Sequence, residues 1–226
     1  MRSPAAFVLG VLVLFAPAFG NPPQIVLLSN SETPWARGIS DDGTCVIGSI
    51  PVGNVQHAMR WRIAPNGSVQ ADDLGYLPGT TYGDPFAVSA DGSVVAGRSS
   101  GRACYWNHGG PFELNPRPSS SWVAAFGVSA DGGTISMSGS WPDVANQSYL
   151  WRNGVMSPVT PPPGYSTVDI LRLSGSGRAF AGRARLSPAP SGGCRWSDTD
   201  GYTMLPGIGS ALVWPVALNF AGDVVA

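Results

Sequence analysis

The chain has 226 residues, 43% hydrophobic and only 12% charged, with a net charge of −1 and arginine at every one of its 13 basic positions. That balance provides no field to hold nucleic acid or an anionic membrane surface. Thirty glycines and 21 prolines suit an exported all-β chain.

Residues 1–20 read as a secretory signal: Arg2 supplies the positive end, Ala5 to Phe15 the apolar stretch, and Ala16-Pro17-Ala18 or Ala18-Phe19-Gly20 the small-residue cleavage site. The apolar stretch is short for a membrane span of ~20 residues. The expected mature chain begins near Asn21, and residues 21–226 form one repeat domain. Within it, QIVLLSN (Gln24 to Asn30) predicts an outer strand standing ahead of the first repeat.

A Ser-x-x-Gly corner then recurs as GISDDG (38–43), AVSADG (87–92), GVSADG (127–132) and RLSGSG (172–177), with a worn fifth copy in ALNFAGDVVA (217–226). One tryptophan follows each of the first four, and Trp61, Trp106, Trp151 and Trp196 stand 45 residues apart. A fixed period of this kind is the signature of a repeat architecture.

Each unit predicts four short strands. In the second unit PFAVS alternates, ADG is a hairpin loop with Gly92 in left-handed backbone, and SVVAG returns as a second strand. That second strand is nearly continuously apolar, in VVAG, CVIG and AFAG, which predicts an inner strand covered on both faces. The third carries the tryptophan, and alternation puts Met59, Cys104, Tyr149 and Cys194 on the same face as the tryptophan two residues on. The fourth ends in proline in every unit, as befits an outer edge.

Four antiparallel strands repeating at this period predict an all-β chain: a β-propeller of four-stranded blades, with four blades and part of a fifth. One blade's tryptophan cannot offset the entropy of ordering its residues, so each sheet must bury both faces against its neighbours. The sequence stops mid-strand at Val225-Ala226, which predicts a longer protein with further blades.

Ala87 to Gly97 and Gln56 to Trp61 resemble the two halves of the bacterial extracellular HAF repeats, an A-x-x-V-S-x-D-G-x-x-V-x-G corner and an H-A-F-x-W strand. The resemblance covers roughly residues 34–226. Later units depart from it, with Ala103-Cys104-Tyr105 and Gly193-Cys194-Arg195 replacing His-Ala-Phe. It implies a secreted or surface propeller with no established activity.

Candidate chemistry is sparse. His57 and His108 fall at opposite ends of different third strands, without ligand spacing. Asp41, Asp42, Asp91 and Asp131 recur at corners, where Asp bonds its own turn. Calcium at Asp41 and Asp42 is the sharper alternative, although such a site draws several oxygens from one loop. Ser40, Ser89, Ser129 and Ser174 repeat once per unit, which marks them as architectural. Arg178, Arg183 and Arg185 cluster on what reads as a solvated strand face. Cys45, Cys104 and Cys194 read as buried free thiols, because Cys104 and Cys194 are equivalent positions two blades apart; Cys45 with Cys104 is the alternative pairing across adjacent blades.

Trp35, Tyr82, Trp122, Trp141 and Tyr165 lie in connecting segments outside the core tryptophan register, which makes them candidate binding residues. The favoured expectation is a binding or scaffold module for an extracellular glycan, peptide or envelope protein. The alternatives are a carbohydrate-active lyase or hydrolase with its site in the channel or in further blades, and a purely structural passenger of a larger surface protein.

Overall fold

The computed structural model describes residues 12–15, 24–28, 34–114, 122–140, 146–186, 191–206, 215 and 217–223. Strands β1 (Leu12–Phe15) and β2 (Gln24–Leu27) pair antiparallel ahead of the repeats. The first sheet holds β3 (Trp35–Ile39), β4 (Cys45–Val52), β5 (Val55–Ile63) and β6 (Val69–Asp73). The second holds β7 (Gly83–Val88), β8 (Val95–Ser99), β9 (Arg102–Asn107) and β10 (Gly110–Glu113). The third holds β11 (Trp122–Val128), β12 (Thr134–Ser140), β13 (Gln147–Arg152) and β14 (Val155–Pro158). The fourth holds β15 (Thr167–Leu173), β16 (Ala179–Arg185), β17 (Gly192–Ser197) and β18 (Gly201–Met204). Within every sheet the strands lie side by side in chain order, as an antiparallel meander.

The tryptophans occupy one register. Trp61 lies between Val46 and Ala71, Trp106 between Val95 and Pro111, Trp151 between Ile135 and Met156, and Trp196 between Phe180 and Tyr202. Second strands are buried along most of their length, and fourth strands are the most exposed in the second to fourth sheets, while in the first sheet β3 is as open as β6. Both outcomes follow from the apolar run of the one and the proline-terminated polar run of the other.

Each corner is closed by its serine. The hydroxyls of Ser40, Ser89, Ser129 and Ser174 accept from the N–H groups of Cys45, Val94, Thr134 and Ala179 at 2.8–3.0 Å. The first three also donate to Asp42, Asp91 and Asp131. Corners then link to one another: Ala90 N–H donates to Ala130 O (3.0 Å), Ala130 N–H to Gly175 O (2.8 Å) and Ser176 N–H to Phe220 O (2.9 Å). The fifth corner is therefore formed, with Asn219 in the serine place and Gly222 at φ 83°. A second glycine requirement sits opposite each first strand. A side chain at Gly48, Gly97, Gly139 or Gly182 would meet the carbonyl oxygen of Trp35, Asp84, Trp122 or Asp169.

The sheets stack as successive blades. The first strand of each lies across the first three of its predecessor: β7 on β3, β4 and β5, β11 on β7, β8 and β9, and β15 on β11, β12 and β13. Each tryptophan faces backward. Trp106 packs with Cys45, Ile47 and Ala58 of the first blade, Trp151 against Tyr105 at 5.4 Å, and Trp196 beside Leu150. In the first blade Leu28 takes the predecessor's place against Trp61. Burying one indole of ~150–250 Å² contributes about 4–6 kcal/mol.

Two expectations change in detail. Gln24–Leu27, expected as an outer strand ahead of the first repeat, pairs with Leu12–Phe15 inside the stretch read as the leader, a nearby partner whose loop closes at less entropic cost. The arginine cluster is not one solvated face, because Arg183 and Arg185 converge on the buried Asp169 while Arg178 points to Asp198. Cys45, Cys104 and Cys194 are free and buried. Burial pushes their thiols up, to about 11 for Cys45 and about 12 for Cys194. No helix among the described residues is long and apolar enough to cross a membrane.

Candidate binding site

The meander sorts the turns between two ends. The Ser-x-x-Gly corners lie at one end, and the starts of the first strands, with the turns joining second to third strands, lie at the other. Every first strand carries a β-bulge three residues ahead of its corner serine, between Ala36 and Gly38, Pro85 and Ala87, Ala125 and Gly127, and Ile170 and Arg172. A bulge inserts one unpaired residue and re-aims its side chain. The inserted residues are Arg37, Phe86, Phe126 and Leu171.

Three of them join in a ribbon across the first three blades. Phe86 stacks on Phe126 with ring centroids 5.4 Å apart, and Trp122 follows at 5.8 Å. The Arg37 guanidinium lies 5.6 Å from the Phe86 centroid and 5.5 Å from that of Trp35. Arg98 adds a second cation, 5.6 Å from Phe86 and 5.9 Å from Tyr82. Contacts of this kind stabilise by about 0.5–2 kcal/mol each, more where water is excluded.

Asp84 holds the two arginines together. It is buried, and its two oxygens accept separately from Arg37 Nη2 (3.3 Å) and Arg98 Nη2 (3.2 Å). Two guanidinium groups facing one carboxylate leave a surplus of one positive charge at a partly exposed site. Arg98 Nε is buried and has no hydrogen-bond partner. Tyr82 is positioned by Ser100, whose hydroxyl accepts from the N–H groups of Thr81 (2.9 Å) and Tyr82 (3.3 Å). Ser100 and Gly101 both have positive φ, 46° and 84°, as the mirror-image hairpin turn demands.

Two clefts of about 340 Å³ each open beside this cluster and share Asn54, Val55 and Gln56. One is bounded by Trp35 and Pro51, the other by Thr81, Tyr82, Asp84 and Arg98. Trp35 is 58% exposed. A larger cavity of about 500 Å³ lies between the third and fourth blades, lined by Pro158, Val159, Pro161, Phe180, Trp196 and Tyr202 among others.

Of the aromatic candidates, Trp35, Tyr82 and Trp122 thus come together, whereas Tyr165 is half-buried against the core of the fourth blade and Trp141 lies outside the described residues. Arg37, Asp84, Phe86, Arg98 and Phe126 escaped the sequence reading. Aligning the units on their serines would have exposed the bulge column three residues upstream. Asp42 Oδ1 accepts from Ser40 Oγ, Thr44 N and Thr44 Oγ1, so the corner itself uses that oxygen. Asp41 is exposed. Among the described residues no three His, Cys, Asp or Glu side chains gather as a metal site would require. His57 Nδ1 lies 2.7 Å from Asp73 Oδ2, a pair that the histidine spacing alone did not suggest, and His108 is exposed on a turn.

The architecture is that of β-propeller proteins. The chain superposes on TolB from Acinetobacter baumannii with a TM-score of 0.58 at 17% identity, over 86% of this chain and 48% of that one. It is similarly related to a puromycin-hydrolyzing peptidase of Mycobacterium tuberculosis (TM-score 0.57, 12% identity, 84% of this chain, 31% of that one). A third likeness is to prolyl oligopeptidase B from Galerina marginata (0.54, 12%, 80% and 28%). The chain spans less than half of each of these proteins. At such identities the likeness shows the fold alone: consecutive propeller blades, not closed into a ring. No protein-family model matches the sequence, and neither does any curated protein sequence.

Proposed function

We propose that the chain is an exported propeller module that binds an extracellular ligand at the end of its blades opposite the corners, with the corners serving as scaffold. One observation carries this reading: Arg37 and Arg98 converge on the buried Asp84 beside an indole, Trp35, that is left open to solvent. A ribbon with purely structural duty gains most by burying its aromatic surface. Convergent charge and open aromatic faces beside a cleft are instead the usual composition of a recognition site. The partner belongs to the glycans, peptides or envelope proteins outside the cell. Export rests on the leader-like residues 1–20, and the HAF-like corners favour the same compartment.

Two measurements test the reading. N-terminal sequencing of protein recovered from the host's extracytoplasmic fraction should begin near Asn21; recovery of uncleaved protein in the cytoplasm would contradict export. Glycan and peptide arrays probed with the wild type and with Trp35→Ala should yield signals that the variant loses. Signals indifferent to Trp35, or none, would contradict binding at this end.

A further inference from the structure

We infer that the ligand of this cleft is a carboxylated sugar chain, a uronate-containing glycan, whose carboxylate meets Arg37 and Arg98 while a neighbouring ring lies on Trp35. The inference rests on the binding reading above and names its ligand class. Three features carry it.

The first is unspent charge. Each guanidinium holds five N–H donors in a planar fork, and Asp84 takes one nitrogen from each. Arg98 Nε is buried, so the donors open to an incoming acceptor are the remaining N–H groups of the partly exposed guanidinium forks. Both arginine side chains remain partly exposed, at 33% and 27%, so an arriving carboxylate can reach them without breaking the Asp84 pair. Phosphate and carboxylate both suit such a fork, but the surplus here is one charge, which a single carboxylate neutralises.

The second is the flat aromatic surface beside the charge. Trp35 lines one of the two clefts and Tyr82 the other, and their ring centroids lie 5.5 and 5.9 Å from an arginine of the cluster, which provides a platform for a sugar ring beside the charge. The third is the polar wall between them. Asn54 and Gln56 line both clefts, and Thr81 lines the second, so amide and hydroxyl groups face the space where sugar hydroxyls would lie. Among the described residues Val55 and Pro51 are the aliphatic groups lining these clefts, which gives little purchase to the apolar side chains of a mixed peptide.

The test is calorimetric titration of the full chain with galacturonate oligomers, with uncharged galactose oligomers of the same length and with oligoglutamate. Galacturonate oligomers should bind, and binding should weaken on raising salt, as pairing between charges does. Arg98→Gln should weaken it by about 10- to 100-fold, the range for a hydrogen bond between charged partners. Arg98→Lys, which keeps the charge but not the fork, should recover part of the loss. Trp35→Ala, at an exposed position that the fold does not need, should weaken binding with an unchanged unfolding midpoint, so the inference stays testable even if Arg98→Gln fails to fold. Equal binding of galactose and galacturonate oligomers, lost in Trp35→Ala, would overturn the charged-sugar inference and leave the binding module standing. Oligoglutamate binding in place of galacturonate would overturn the sugar assignment in the same way. Failure of all three ligands would overturn the inference, and the arrays would then decide the broader reading.

Discussion

The two ends of the blades are built on opposite plans. At the corner end the same few atoms recur in blade after blade: a buried serine hydroxyl, a left-handed glycine and, in three of the four complete corners, an aspartate one of whose oxygens the turn already uses. Toward the other end the backbone repeats while most side chains change, the exception being the Asp84–Arg98 pair of the second blade, which recurs as Asp169–Arg183 in the fourth. The inserted residue changes from Arg37 to Phe86, Phe126 and Leu171, and the position two before it from Trp35 to Asp84, Ala124 and Asp169. Identity across copies marks what every blade needs in order to fold. Divergence at a fixed position, as at Arg37, Phe86, Phe126 and Leu171, marks what a single blade contributes.

This contrast orders the expected effects of mutation. The largest belongs to Trp106, fully buried between the first two blades: Trp106→Ala should destabilise by about 4 kcal/mol, read as a lowered midpoint in urea unfolding. A change of that size at the end opposite the corners would blur the distinction between the two ends. Next comes Ser89→Ala, which strips the acceptor of the Val94 N–H and a donor to Asp91; a loss of about 1–2 kcal/mol is expected by the same measurement. Smaller still is a pH effect. Hydrogen bonds from Ser93 N–H, Ser93 Oγ and Ser89 Oγ lower Asp91 to about 2 from an ordinary value of 3.8. Since the folded value lies below the unfolded one, the stability it contributes is present above about pH 4 and lost as pH falls toward 2. Asp91→Asn should therefore flatten that part of the acid-unfolding curve. The smallest effect on stability belongs to Trp35→Ala, below about 0.5 kcal/mol, although it should abolish array signals.

Much of the fold was legible because its devices repeat. The 45-residue tryptophan register, the serine corner, the apolar second strand and the proline-ended fourth each appear several times, and each carries one physical meaning. The site was legible only in part. Trp35, Tyr82 and Trp122 stood out because they fall outside the register, but the ion cluster did not. Asp84 and Arg98 are 14 residues apart on paired strands, and Arg37 arrives from another blade, 47 residues from Asp84. The 14-residue spacing recurs in Asp169 and Arg183 and so could have flagged the pair, whereas no local spacing reports the arrival of Arg37. The pairing of β2 with β1 was equally hidden, because an apolar strand does not specify its partner.

The account is tested most directly by measuring unfolding midpoint and galacturonate binding together for Ser89→Ala and Trp35→Ala. It predicts that Ser89→Ala lowers the midpoint while the folded protein binds as the wild type does, and that Trp35→Ala leaves the midpoint in place while binding is lost. Parallel changes in both quantities for both variants, or wild-type binding by Trp35→Ala, would contradict it.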